Sequence, residues 1–178
     1  MVQTIKYDLI KKLDEVEIRH YPRLTVAKVT NSESDSFGLL FRFISGANIQ
    51  KKKVKMTSPV VSQEIPQEIK MTSPVLTDFS EEGYMAFVMP QEFNIETIPQ
   101  PLDGRVKIEE VPERNVAVLR FSGSWSEDRF ETKTKELLNE LANARIKTKG
   151  GVFTMLYNPP FTPSFLRRNE VAIEVEPE

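Results

Sequence analysis

The feature that most constrains the fold of this sequence is an internal repeat separated by about half of its 178 residues. Residues 16–29 (the first copy) align without a gap with residues 106–119 (the second copy), an offset of 90 positions (106 − 16). Val, Ile, Pro, Val and Ala recur at corresponding places in both copies. Apolar and polar residues alternate on each side of the proline, which predicts two β-strands joined by a turn. Each copy is therefore predicted to form a β-hairpin.

A helical pattern follows each copy of the repeat. Ser34 and Asp35 suit a helix N-cap, and Gly46 supplies a stop signal. Between them, apolar residues have the spacing of one helix face: Phe37, Leu40, Phe41 and Ile44. After the second copy, residues 124–127 (Ser-Trp-Ser-Glu) have the form of a capping box. One apolar face then continues through Phe130, Leu137, Leu141 and Ala144. A helix is thus predicted after each copy.

Strands are predicted again after each helix. Residues 54–60 and 69–75 both carry Lys-Met-Thr-Ser-Pro-Val, and we interpret them as a paired, distorted hairpin, because proline cannot donate to a sheet ladder. Residues 84–89, 151–157 and 169–176 also have strand patterns.

The order of hairpin, helix and strands thus occurs twice. It predicts an α+β fold, a distorted antiparallel β-barrel with two helices, built from two similar halves related by a pseudo-twofold axis. We expect one domain over residues 1–178, with pseudo-repeats at about 5–90 and 91–176. A cleft between the halves is the expected ligand site.

Composition excludes several kinds of site and partner. Without Cys, the chain cannot form disulfides, thiolate zinc sites or iron–sulfur ligation, and with one His it cannot form a two-His metal motif. A net charge of −2 gives no general attraction for a phosphate backbone, so nucleic acid is not an expected partner. No apolar run reaches the length of a membrane span. We therefore expect a cytoplasmic protein with no membrane partner.

Seven segments resemble the SOUL haem-binding family, in order and across nearly the whole chain. They are residues 17–21 (Glu-Ile-Arg-His-Tyr), 43–48 (Phe-Ile-Ser-Gly-Ala-Asn), the doubled Lys-Met-Thr-Ser-Pro-Val, 87–90 (Phe-Val-Met-Pro), 120–123 (Arg-Phe-Ser-Gly), 157–160 (Tyr-Asn-Pro-Pro) and 167–171 (Arg-Arg-Asn-Glu-Val). The resemblance implies a distorted β-barrel, similar to effector-binding domains of the gyrase-inhibitor-like superfamily. It also implies haem or a related tetrapyrrole as ligand, with haem not needed for folding.

The resemblance implies candidate residues for a haem site. His20 matches a His that ligates haem iron in some members, whereas other members hold the ring by apolar contact. Its counterpart in the second copy is Glu110, so two His ligands from one chain are impossible. The other candidates are cations for the propionates (Arg42, Arg167 and Arg168) and apolar residues for the pocket wall (Met56, Met71 and Phe87). The alternatives are a hydrogen-bonded rim histidine, solvated arginines and ordinary core residues.

The predicted function is non-catalytic binding or transport of haem, another tetrapyrrole or another small hydrophobic ligand in a cleft beside the first helix. Two alternative functions depend on Glu170. In the last predicted strand its side chain is expected to face the side opposite to that of Val171. As a cleft acid, Glu170 would bind cationic ligands in an effector-binding module, or act as a general base in a hydrolase. The sequence favours a structural role for Glu170, paired with Arg167 or Arg168, over either of these.

Overall fold

The computed structural model describes residues 3–30, 35–50, 66–78, 83–159 and 161–177, and this part of the chain has an α+β fold. Its helices are α1 (Ser36–Ile44) and α2 (Glu127–Asn143), with a short 3-10 helix at Ser164–Leu166. Its strands are β1 (Gln3–Thr4), β2 (Asp8–Lys12), β3 (Val16–Tyr21), β4 (Leu24–Thr30), β5 (Asn48–Ile49), β6 (Thr72–Asp78), β7 (Tyr84–Val88), β8 (Gln100–Pro101), β9 (Lys107–Val111), β10 (Arg114–Phe121), β11 (Thr148–Leu156) and β12 (Asn169–Val175).

Nine of these strands form one antiparallel sheet in the order β2-β3-β10-β12-β11-β6-β7-β4-β9. β1 joins this sheet by parallel pairing with β6, and β5 and β8 form a separate pair. The predicted α+β class and the two predicted helices are confirmed. The first of the two Lys-Met-Thr-Ser-Pro-Val segments, with the strand predicted there, lies outside the described residues.

The two strands of each repeat copy do not pair with each other. β3 pairs with β10, and β4 pairs with β9, so each strand of the first copy lies against a strand of the second. One register runs through both ladders, with His20 opposite Asn115 and Thr25 opposite Glu110. The prediction that each copy is a β-hairpin is therefore wrong.

The turn residues explain why the hairpins do not form. Tight two-residue hairpin turns need positive φ at one or both central residues, which Gly and Asn supply most easily. The turns here are Pro22-Arg23 and Pro112-Glu113, and none of these four residues has a positive φ. The strands on either side of each proline therefore diverge and find partners in the other copy.

This cross-pairing makes the sheet curl. β3 is second in the strand order and β4 is eighth, yet only Pro22 and Arg23 separate them in the chain. The sheet must therefore bend round until its two ends approach each other. One buried cluster accordingly joins residues from both ends, namely Tyr21, Leu24, Val26, Leu76, Ala86, Val88, Val116, Val118, Phe153, Met155 and Ala172.

The curled sheet is not closed into a barrel by strand pairing in the part of the chain described, because its order starts at β2 and ends at β9. The pseudo-twofold relation between the halves stays a prediction. Helix α2 packs on one surface of the sheet, against β10 and β12, and α1 packs elsewhere, against β4 and β7. Neither helix is long and apolar enough to cross a bilayer, so far as the described residues extend.

Among the described residues, the interior of the curled sheet is densely packed. The cavity beside Tyr21, Leu24 and Phe153 measures only about 10 Å³, which is close to the space of a single water molecule. Predicted site residues line two larger clefts elsewhere in this part of the chain.

Candidate functional site

A buried ion pair joins two strands on either side of β10. Glu170 on β12 is fully buried, and Arg19 on β3 is 2% exposed. The guanidinium binds the carboxylate in a bidentate manner, from Nη1 to Oε2 at 3.0 Å and from Nη2 to Oε1 at 3.0 Å. Burial of a charge is tolerated when it is paired and hydrogen-bonded in this way.

Two further side chains complete the surroundings of Glu170. Arg168 donates from Nε and Nη2 to Oε1, at 3.1 and 2.9 Å, and the Tyr157 hydroxyl donates to Oε2 at 2.9 Å. With the two bonds from Arg19, the carboxylate accepts five hydrogen bonds from these described residues. Of the roles predicted for Glu170, the pairing with Arg168 is present.

Arg19 is also fully engaged. It donates from Nε to Glu17 at 2.8 Å and from Nη1 to the Tyr21 hydroxyl at 3.0 Å, and its guanidinium lies 4.2 Å from the centre of the Tyr7 ring. Burial alone would lower the pKa of Arg19, but hydrogen bonding to Glu170 and the charge of that carboxylate raise it. Burial, and next the charge of Glu170, raise the pKa of Tyr157. Both groups therefore remain proton donors to Glu170 at neutral pH.

This network borders a cleft of about 650 Å³, which we call the arginine cleft. Its lining residues are Lys12, Asp14, Glu15, Glu17, Arg19, Val118, Arg120, Phe121, Ser122, Phe165, Leu166, Arg167 and Arg168. Arg120 is exposed and lies opposite Glu170 in the β10–β12 ladder. The Arg167 guanidinium lies 4.5 Å from the Trp125 ring, and that of Arg168 lies 4.1 Å from the Tyr157 ring.

A second cleft of about 440 Å³ lies beside the first helix, and we call it the α1 cleft. Its lining residues are Leu39, Arg42, Phe43, Ala47, Pro101, Leu102, Asp103, Gly104 and Val106. Arg42 is 58% exposed, with Asp35 3.6 Å away. Hydrogen bonds from Arg105 lower the pKa of Asp103, on the rim, to about 2. The α1 cleft therefore combines the exposed apolar side chain of Leu102 with the cation of Arg42 and the carboxylate of Asp103.

His20 lines neither of these clefts. It lies at the end of β3, on the strand face of Val16 and Ile18, and its side chain is 37% exposed. Its Nδ1 is 2.7 Å from Oδ1 of Asn115, and its Nε2 is 3.7 Å from Glu113. The structure thus places His20 among polar neighbours at the turn.

The predicted apolar wall residues belong to the core beneath α1 where the structure describes them. Phe87 is 1% exposed and packs edge-on against Phe37, with ring centres 5.4 Å apart. Met71 packs against the same buried cluster. Neither residue lines the α1 cleft, and Met56 lies outside the described residues.

The predicted site residues therefore fall into separate places. Arg167, Arg168 and Glu170 meet at the arginine cleft, Arg42 lies at the α1 cleft, and His20 lies at the end of β3. Sequence reasoning missed Arg19 and Arg120. The only local signal for Arg19 was the alternation of Glu17, Arg19 and Tyr21 on the face of β3 opposite its apolar residues.

Known structures share this arrangement of a curled sheet with two helices. The EcmrR C-terminal domain is 10% identical, with a TM-score of 0.59, over 94% of this chain and 100% of that chain. A hydrolase from Listeria innocua is 11% identical with a TM-score of 0.57, and an uncharacterized conserved protein from Listeria innocua is 11% identical with a TM-score of 0.59. Each of these two matches covers 91% of this chain and 92% of the Listeria innocua chain. At such identities the likeness concerns the fold alone.

The sequence itself matches a family. The family model described as SOUL heme-binding protein covers residues 2–174. This protein belongs to the SOUL haem-binding family. No curated protein sequence matches it significantly.

Proposed function

We propose that this protein binds haem or a related tetrapyrrole without catalysing a reaction on it, and that the ring lies in the α1 cleft. The observation that carries this proposal is the pairing, in one cleft, of an exposed apolar side chain with an exposed arginine. A tetrapyrrole requires both, because its ring is flat and apolar and its propionates are anionic. Family membership supports the choice of ligand.

The α1 cleft fits such a ring in size and chemistry. Its volume of about 440 Å³ lies within the usual range of ligand pockets, roughly 300–1,000 Å³. Leu102 offers exposed apolar surface beside the buried side chains of Leu39 and Phe43, and Arg42 offers a planar cation for a carboxylate. When bound, haem would supply redox chemistry and an iron atom for axial ligands.

In this proposal the ring is held by apolar and ionic contacts. Ligation of iron by His20 stays a separate prediction, because that residue is not part of the α1 cleft. If Asn115 accepts a hydrogen bond from Nδ1 of His20, the nitrogen left for a metal is Nε2, beside Glu113. A ring ligated there would occupy the outer end of β3.

A hemin titration tests both the function and its location. Hemin binding is followed by the Soret band in the wild type and in Arg42→Gln, Leu102→Asp, His20→Ala and the control Arg23→Gln. Arg42, Leu102 and Arg23 are all exposed, so these variants should fold. We expect Arg42→Gln and Leu102→Asp to weaken binding by about tenfold, the effect of losing a charge-assisted hydrogen bond or burying a charge.

The other two variants decide between locations. We expect Arg23→Gln and His20→Ala to retain the affinity and Soret position of the wild type. A Soret shift in His20→Ala alone would move the ring to the end of β3 and overturn the α1 location. Absence of saturable hemin binding in the wild type would contradict the proposed function itself.

Neither alternative function is favoured by the surroundings of Glu170. An acid that binds a cationic ligand, or one that acts as a general base, needs a carboxylate oxygen that is accessible and not already neutralised. The Glu170 carboxylate is buried and bound to Arg19, Arg168 and Tyr157. These contacts support a structural role for Glu170.

A further inference from the structure

We propose that the arginine cleft is a second binding site, separate from the α1 cleft, for a compact ligand with a phosphate or carboxylate group on a small apolar body. The two clefts share no lining residue. They also differ in chemistry, since Arg42 and Asp103 are the charged residues that line the α1 cleft, whereas most residues that line the arginine cleft are charged.

The positive charge available to a ligand comes from Arg120, which lines the cleft. Inside the cleft, Arg19 and Arg168 are balanced by the carboxylates of Glu17 and Glu170. Arg120 makes no ion pair with any residue that the structure describes, and it is exposed beside this balanced group. The inner wall of the cleft therefore carries surplus positive charge next to a fully neutralised carboxylate.

The arginine side chains are held in position before a ligand arrives. The Arg167 guanidinium lies over the Trp125 ring. Its Nε donates a hydrogen bond to the Thr162 carbonyl at 2.9 Å, which fixes its orientation. Arg168 is fixed by the Tyr157 ring and by Glu170. Planar guanidinium groups suit the paired oxygens of carboxylates and phosphates. Because these groups are already ordered, binding costs less side-chain entropy.

The rest of the cleft limits the size and nature of the ligand. Asp14 and Glu15 line the opposite side, at the turn between β2 and β3, and would repel an extended polyanion while leaving room for one compact anionic group. Phe165 and Leu166 are 73% and 63% exposed on the loop before β12. Exposed apolar groups next to an anion site suit an apolar body attached to the oxyanion.

Titration calorimetry with defined probes at constant ionic strength tests this site. The probes are phenyl phosphate, benzoate, inorganic phosphate and uncharged benzyl alcohol. Trp125 is the only Trp of the chain, and its ring lies 4.5 Å from the guanidinium of Arg167, so its fluorescence reports on changes around that cleft residue. The variants are Arg120→Gln in the cleft, Arg23→Gln as a matched exposed arginine elsewhere, and Arg42→Gln in the α1 cleft.

We expect phenyl phosphate or benzoate to bind saturably and to change the fluorescence emission of Trp125. The probe with the higher affinity shows whether the site prefers a phosphate or a carboxylate group. Arg120→Gln should weaken this binding by about tenfold, whereas Arg23→Gln and Arg42→Gln should not change it. The proposal is overturned if neither aromatic anion binds, if benzyl alcohol binds equally well, or if Arg120→Gln behaves like Arg23→Gln. Competition between phenyl phosphate and hemin would overturn the separation of the two sites. Failure of hemin binding alone leaves these titrations unaffected.

Discussion

At the scale of single residues, the dominant feature is the carboxylate of Glu170 between two guanidinium groups. A buried pair of this kind adds little net stability, because desolvation offsets the attraction, but breaking it is costly since a charge is left without a partner. The five hydrogen bonds to Glu170 come from β3, from the end of β11 and from the residue before β12. The carboxylate therefore holds together three segments, and two of them line the arginine cleft, with Arg19 and with Arg168.

The substitution Glu170→Gln should lower the free energy of unfolding by about 3–5 kcal/mol, because Arg19 and Arg168 lose their shared buried carboxylate and only the partly exposed Glu17 remains beside Arg19. Urea unfolding measures the change. The control is Glu174→Gln on the same strand, where the carboxylate is partly exposed and 3.7 Å from Arg114, with an expected loss of at most about 1 kcal/mol. Equal effects of the two substitutions would contradict the importance assigned to the buried network.

At the scale of elements, the first turn of α1 shows how a glycine serves a helix cap. The Asp35 side chain accepts a hydrogen bond from the backbone N–H of Gly38 at 3.0 Å. A Cβ atom at position 38 would collide with this carboxylate. Gly is a poor helix former, by about 1 kcal/mol relative to Ala, but here it allows the cap that starts the helix carrying Arg42.

A double-mutant cycle tests this coupling. Asp35→Ala should cost about 1 kcal/mol through loss of the cap. In that background Gly38→Ala should stabilise the protein by up to about 1 kcal/mol, whereas in the wild type the collision with Asp35 should cancel the gain. Thermal or urea unfolding of the four proteins gives the coupling energy. Additive effects would show that the side chain of Asp35 does not restrict position 38.

At the scale of the whole molecule, the repeat copies exchange partners, and the sheet curls as a result. Lys28 lies opposite Lys107 in the β4–β9 ladder. A hairpin with its turn at Pro22 and Arg23 would instead place Glu17 opposite Lys28. Facing residues of antiparallel strands have Cα atoms about 4.5–5.5 Å apart, which is within the range that a disulfide spans.

The natural absence of Cys makes this pairing easy to test. We expect Lys28→Cys combined with Lys107→Cys to form an intramolecular disulfide under mild oxidation, detected by thiol titration and non-reducing electrophoresis. Lys28→Cys combined with Glu17→Cys should remain reduced. The reverse result would restore the hairpin interpretation of the repeat.

Much of this protein was predictable from local sequence patterns. Asp35 caps α1 as predicted, but α2 begins after Ser126 and not at the predicted capping box that starts with Ser124. On α1 the buried residues are Leu39, Leu40, Phe43 and Ile44, so Phe37 and Phe41 of the predicted apolar face are exposed. The presence of both helices was predictable because caps and apolar spacing act between residues a few positions apart.

Arg168 and Glu170 were identified as possible partners because they are two residues apart next to a strand. Arg19 was not connected with Glu170, because residues 151 positions apart in the sequence leave no local trace of the contact.

The sequence by itself determined the α+β class, the positions of both helices and the membership of the SOUL family, since all three depend on periodicity and ordered motifs. Only the tertiary structure decided that β3 pairs with β10 and β4 with β9, and that the candidate residues divide between two clefts. The physical reason is that alternation specifies which face of a strand is apolar, but not which strand lies beside it. That choice depends on turn geometry and on burying the apolar faces of the whole chain together.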